Sequence, residues 1–174
     1  MINRTEVPLH ILLVEDNDAH AELVIRGMRD QQVVNKIHHV TDGEQALDYL
    51  LWRGAYTDPL LNPRPNLVLL DLRLPRVDGL EVLRIIKAAP SLLSIPIVIL
   101  TSSDAESDIV KSFDYHANSY VVKPLDYKLF INLMKDLGSY WLGWNAKTPG
   151  QANHLPVHPA GEKIEARTDN NNNG

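Results

Sequence analysis

Leu67-Val68-Leu69-Leu70-Asp71 is followed by the turn Leu72-Arg73-Leu74-Pro75-Arg76-Val77-Asp78-Gly79. Four apolar residues end abruptly in a carboxylate. An apolar run bounded by turn residues reads as a strand buried on both faces, as in a parallel sheet. Asp71 then falls at the carboxyl end of that strand, the edge where open α/β sheets bind ligands. A carboxylate there can be a nucleophile, a metal ligand or both. Taken alone, Asp71 is as simply read as a turn cap, so the question is what else reaches the same edge.

Working outward, His10-Ile11-Leu12-Leu13-Val14 is a second apolar run, closing on Glu15-Asp16. A helix is expected over Asp18 to Asp30, with Val24 and Met28 on one face and Ala19 and Leu23 beside them. Lys36 to Val40 reads as a lesser strand. Thr41-Asp42-Gly43-Glu44 fits a capping box with Thr41 as N-cap, opening a helix that carries Ala46, Leu47, Leu50 and Leu51. Arg53 to Pro65 holds three prolines and a glycine, which argues against regular structure. Connections of this length are commonly functional or mobile, or tolerated insertions. Asp78 is expected to cap the helix that stops before Pro90. Ile95 to Leu100 is a strand, with Pro96 tolerated near its start. Ser103-Asp104-Ala105-Glu106 is a further capping box, opening a helix to about His116. Ser119 to Val122 is the last strand, and Asp126 caps a final helix rich in aromatic residues up to Trp144. Five alternations of strand and helix make a parallel α/β sheet. From Asn145 onward the prolines, the absence of periodicity and the closing asparagines predict disorder.

With 174 residues and 44% hydrophobic content, the chain suffices for one domain with a real core. A net charge of −5 without a basic block argues against nucleic-acid binding. The lack of cysteine excludes disulfides, thiolate metal sites and thiol catalysis. No signal-peptide core and no bilayer-length apolar run are visible, so a cytoplasmic protein without a membrane segment is expected.

Four strand ends carry polar groups: Glu15 and Asp16, Asp71, Thr101, and Lys123. In a parallel sheet these share one edge. Three neighbouring carboxylates cannot all ionise cheaply without a cation, and oxygen-only donors suit a hard ion such as Mg2+. Carboxylate, metal, ammonium and hydroxyl together suit a phosphoryl group transferred to Asp71. The histidines His10, His20, His38, His39 and His116 are scattered along the chain and suggest no site. There is no glycine-rich phosphate loop.

These residues resemble the receiver domains of two-component response regulators, the CheY-like family. Leu13-Val14-Glu15-Asp16-Asn17 resembles the acidic metal-binding strand end. Asp71 with Pro75 and Asp78-Gly79 resembles the phosphoacceptor motif, and Leu100-Thr101-Ser102 and Val122-Lys123-Pro124 the switch hydroxyl and lysine motifs. The resemblance implies a flavodoxin-like doubly wound sheet of five parallel strands, order 2-1-3-4-5, with five helices. It also implies residues 1–8 as an N-terminal extension, 9–144 as the receiver with a loop insertion at 53–66, and 145–174 as the tail. Carried over residue by residue, Glu15, Asp16, Asp71 and the backbone carbonyl of Arg73 hold Mg2+. Asp71 is the acceptor, Lys123 and Thr101 serve the phosphoryl group, and Thr101 and Tyr120 form the switch. Ser102 is small, leaving access to the acceptor. Lys123-Pro124 is expected to be cis. His116-Ala117-Asn118 departs from the usual glycine, and Arg73 places a large cation beside the acceptor. The insertion, Ala117-Asn118-Ser119-Tyr120 and Tyr140-Trp141-Leu142 together resemble the phytochrome-associated receivers of bacteria.

The implied function is that of a stand-alone response regulator, a phosphoacceptor signalling protein rather than an enzyme, served by a sensor histidine kinase of phytochrome type. No output domain is read after Trp144, so output is expected through protein contacts, with a homodimer formed through the last helix. A haloacid-dehalogenase-type phosphatase would need an acid two residues after the nucleophile, where Arg73 stands. A pseudo-receiver is disfavoured by the intact set Glu15, Asp16, Asp71, Thr101 and Lys123.

Overall fold

A computed structural model describes residues 9–29, 35–102 and 106–145. Five parallel strands, β1 (Leu9–Val14), β2 (Asn35–Val40), β3 (Leu67–Leu70), β4 (Ile97–Thr101) and β5 (Ser119–Val122), lie in the order β2-β1-β3-β4-β5. Five helices alternate with them: α1 (Asp18–Arg29), α2 (Gly43–Leu51), α3 (Gly79–Ala88), α4 (Glu106–Asp114) and α5 (Tyr127–Asn145). This is the doubly wound architecture the resemblance implied.

The alternation of side chains along the strands builds two cores. Leu12, Val14, Val68, Leu70, Ile97 and Ile99 face the layer of α2 and α3 and meet Ala46, Leu50, Val82, Leu83 and Ile86. Ile11, Leu13, Leu67, Leu69, Val98 and Leu100 face the other layer and meet Ala21, Val24 and Met28 of α1 and Phe130, Met134 and Trp141 of α5. β3 runs between β1 and β4 with Leu70 opposite Val14 and Ile99, and all four of its residues are buried. Truncating one of its leucines to alanine removes contacts worth about 2–5 kcal/mol. The rigid centre of the sheet therefore ends at Asp71. α4 packs beside α3 and β5.

Several boundaries differ from the sequence expectation. The N-cap of α2 is Asp42, not Thr41: the Asp42 side chain accepts from Gln45 N at 2.8 Å, and Asp42 is buried. Helix onset is fixed at Gly43 by packing, because a Cβ there would lie 2.0 Å from the Val77 carbonyl oxygen. Pro96 stands just outside β4, and its carbonyl accepts from Val68 N. Asp78 and Asp126 cap α3 and α5 as expected. His116 takes the left-handed region (φ 61°) in the turn after α4, doing there what glycine would do. No described peptide bond is cis, so Lys123–Pro124 is trans and the expected cis bond is corrected. Trans is the lower-energy form of an X-Pro amide by about 0.5–1 kcal/mol, and the Lys123 N–H already meets the Thr101 carbonyl at 2.8 Å. Asn145, expected in the tail, belongs to α5. The rest of the expected tail, the extension 1–8 and the Ser103 cap lie outside the described residues.

The Arg53–Pro65 segment contains a single 3-10 turn, Gly54–Tyr56, and is tied down at several points. Tyr49 Oη donates to the Pro63 carbonyl and Trp52 Nε1 to the Asn62 carbonyl, both at 2.9 Å. Arg64 donates to the Leu50 carbonyl while its guanidinium lies 3.9 Å from the Trp52 ring centre. Tyr56 closes on His38 and Tyr49 edge to face.

Candidate functional site

The carboxyl edge of the sheet carries the polar strand ends. Glu15 follows β1 and is almost fully buried; Asp16 is exposed; Asp71 follows β3 and is buried. One oxygen from each of these three carboxylates lies within 4.8 Å of the other two. Lys123, after β5, is buried with them. Its Nζ donates to Asp71 Oδ2 at 2.6 Å and to Glu15 Oε2. One ammonium against three carboxylates leaves the cluster with two formal negative charges in excess. Burial pushes the Glu15 carboxyl above its ordinary range, the Asp71 charge adds to this, and the bond from Lys123 opposes it. A compact all-oxygen donor set with this charge excess fits a hard divalent cation.

The loop after β3 is shaped to present Asp71. Arg73 N donates to Asp71 Oδ1 at 3.2 Å, and Gly79 N returns to the Leu72 carbonyl at 2.9 Å. A Cβ on Gly79 would lie 2.2 Å from the Asp71 carbonyl oxygen, so only glycine admits so close a return. Arg76 is held in the left-handed region (φ 64°) and reaches back to α2, pairing with Glu44 at 2.9 Å and Asp42 at 3.6 Å. Thr101 ends β4 with its side chain fully buried, in register with Val122, and its carbonyl holds the Lys123 N–H. Tyr120 on β5 is partly buried against the α2–α3 core. Ser102, the small residue after Thr101, is exposed.

Glu15, Asp16, Asp71 and Lys123 thus converge on one point, with Thr101 on the adjoining strand end. One participant and one contact were not read from the sequence. His20, counted among scattered histidines, stands at the rim: Nδ1 lies 3.6 Å from Glu15 Oε1 and 3.5 Å from Lys123 Nζ, and the ring meets Phe130 edge-on. Its place in the first turn of the helix that follows Glu15 and Asp16 was the available signal. Arg73, expected to offer its backbone carbonyl to the metal and to place a cation beside the acceptor, also pairs through its side chain with Asp108 of α4 at 2.9 Å, a contact across 35 residues that no local spacing announces.

A doubly wound sheet with three acids and a buried lysine at its carboxyl edge defines a phosphoryl- and metal-handling α/β module. The model of the response regulator receiver domain matches residues 11–135, and the chain belongs to that family. Among curated relatives, it is 44% identical to the probable methanogenesis regulatory protein FilR2 of Methanothrix harundinacea (84% of this chain, 92% of the relative). It is 38% identical to response regulator Rcp1 of Synechocystis (82% and 95%). Among solved structures, the phosphorylated cyanobacterial phytochrome response regulator RcpA superposes with a TM-score of 0.76 at 38% identity (79% of this chain, 96% of that one). The Mn2+-bound form of Rcp1 superposes with a TM-score of 0.74 at 39% identity (78% and 95%). The chain is accordingly a response regulator receiver, a class of signalling protein served by histidine kinases, with an acidic cluster suited to a divalent metal.

Proposed function

We propose that this protein is a single-domain response regulator in which residues 9–144 form the receiver, the 53–66 loop is an insertion, and Asp71 is the phosphoacceptor. The observation that carries this reading is the Lys123 ammonium bonded at once to Asp71 and Glu15 inside a buried acidic cluster. Glu15, Asp16, Asp71 and the Arg73 carbonyl would hold Mg2+, which when bound neutralises phosphoryl oxygens. An Asp71 oxygen attacks the phosphorus of a kinase phosphohistidine. The O–P bond forms as the P–N bond breaks, and the electron pair leaves with the imidazole nitrogen, which then takes up a proton. Lys123 balances charge on the phosphoryl group. Its ammonium already sits at hydrogen-bond distance from the acceptor oxygen. Thr101 and Tyr120 then reposition, shifting the population between two packings.

The protein acts as a signalling acceptor, not as an enzyme with turnover, and works in the cytoplasm; among the described residues no helix is long and apolar enough to cross a membrane. The phytochrome-related names of Rcp1 and RcpA support a phytochrome-type kinase as partner. Exposed Tyr127, Leu129 and Tyr140 on α5 support a homodimer through that helix. The test is incubation with acetyl phosphate and Mg2+, read by intact-protein mass. Wild type gains one slowly hydrolysed phosphoryl group and Asp71→Asn gains none. Continuous release of inorganic phosphate at many turnovers, or an adduct that survives Asp71→Asn, would defeat the reading.

A further inference from the structure

Between the Arg53–Pro65 segment and strands β1 and β2 lies a cavity of about 560 Å3, a volume that suits a small organic ligand. It is lined by His10 of β1, by Lys36 and His38 of β2, and by Leu60, Leu61 and Pro63 of the segment. The segment is held in place there. Tyr49 Oη donates to the Pro63 carbonyl, Leu60 N to Asp58 Oδ1 at 2.8 Å, and Asn66 N to the His10 carbonyl at 2.7 Å. Leu60 and Leu61 are nonetheless 91% and 79% exposed. A tied loop thus keeps two leucines in water, apolar area that a ligand would cover.

The strand side of the cavity has the opposite character. It carries one ammonium and two imidazoles, and among the described residues that line the cavity there is no acid. In a chain of net charge −5 this is a local reversal of sign. Burial, and after it the Lys36 charge, holds the His10 imidazole below its ordinary value. His38 Nε2 is buried without a hydrogen-bond partner, and a buried polar atom gains most from being given one. We propose that the cavity binds an organic monocarboxylate with an aliphatic body, its carboxylate set against Lys36, His10 and His38 and its chain laid along Leu60, Leu61 and Pro63. Charge and apolar surface divide the same way in ligand and site. An ammonium head would meet three nitrogen bases, and a small bare anion would leave the leucines wet. The tethered loop keeps the site preformed, which limits the ordering cost of binding. The binding is independent of the reading of Asp71.

Three probes separate the two halves of the site: octanoate, acetate and octylammonium, each titrated calorimetrically into the full chain. Octanoate should bind with one molecule per chain, and acetate and octylammonium roughly tenfold more weakly or less. The octylammonium arm is diagnostic because the net charge of the chain would by itself favour the cation. Lys36→Met should weaken octanoate roughly tenfold, and Leu60→Ser with Leu61→Ser about three- to tenfold. All three positions are exposed, so the fold does not depend on them. The ring resonances of His10 and His38 should shift with octanoate and saturate at the concentration that saturates the heat. The proposal is overturned if octanoate binds no more tightly than octylammonium or acetate. It is equally overturned if binding survives Lys36→Met undiminished, or if the His10 and His38 rings do not respond.

Discussion

Before β3 the chain runs through residues 52–66; after it, through residues 72–78. The first segment is the longer, and it holds three prolines and two aromatic residues. Stacking and backbone carbonyls hold it: Trp52 under Arg64, Tyr49 on Pro63, Tyr56 against His38. The second is short and sits where charge accumulates. A left-handed Arg76 lies in it, and it is flanked by Gly79, which has no room for a Cβ, and by Asp71, which faces a buried lysine. Length and odd composition drew attention to the first segment, yet the chemistry belongs to the second. What separates them is the end of the strand each adjoins. At the carboxyl end of β3 the neighbouring strands also terminate in polar groups; at the amino end they do not supply a matching set.

The largest expected effect lies at the carboxyl end. Lys123→Met leaves Glu15 and Asp71 buried together without their cation, and should cost about 3–5 kcal/mol of unfolding free energy in urea. Millimolar MgCl2 should restore part of it, since a ligand that binds the native state stabilises by mass action. Trp52→Ala, at the other end, removes one hydrogen bond and the Arg64 stack, worth roughly 1–2 kcal/mol together. It should leave the rate of phosphorylation by acetyl phosphate unchanged. A Lys123→Met loss no larger than that of Trp52→Ala, or a slowed phosphorylation in the latter, would break the contrast between the two segments.

The smallest effect is one of pH. His38 is stacked on Tyr49 with ring centres 4.5 Å apart, and Tyr56 closes over it edge-on. Burial, with the neighbouring His39 adding to it, holds the His38 imidazole below its ordinary value of 6.5. A lowered pKa means the folded state prefers the neutral ring. That contribution is present above pH 6.5 and is lost as the pH falls through the lower folded value. Melting curves of wild type and His38→Phe should therefore run parallel above pH 6.5 and converge or cross below it. His10 is lowered in the same sense and remains in both proteins, so the difference reports His38.

The strands were legible because a parallel sheet buries both faces and so demands unbroken apolar runs. Those of β1, β3 and β4 each end at a polar residue that marks the edge. Glu15, Asp16, Asp71, Thr101 and Lys123 could be placed together before any coordinate because topology alone puts their strand ends on one rim. Capping was less legible where two candidates adjoin. Thr41 and Asp42 both have the chemistry, and the choice is made by a tertiary contact, the Val77 carbonyl lying close over Gly43. His20 escaped notice because its nearness in sequence to Glu15 and Asp16 does not by itself say that the first turn of α1 carries the ring to the rim. The Arg73–Asp108 bridge escaped because α4's facing relative to the acceptor loop is a tertiary fact. The trans Lys123–Pro124 bond differs from what resemblance alone suggested.

α1 and α5 meet at Gly27, where a methyl group would fall 2.4 Å from Met134 Cβ and 3.1 Å from the Ile131 carbonyl oxygen. So close an approach packs the two helices tightly and leaves no room for a side chain between them. Glycine at that one position is what lets the α1–α5 layer close on itself, giving any partner that meets this side a well-packed face.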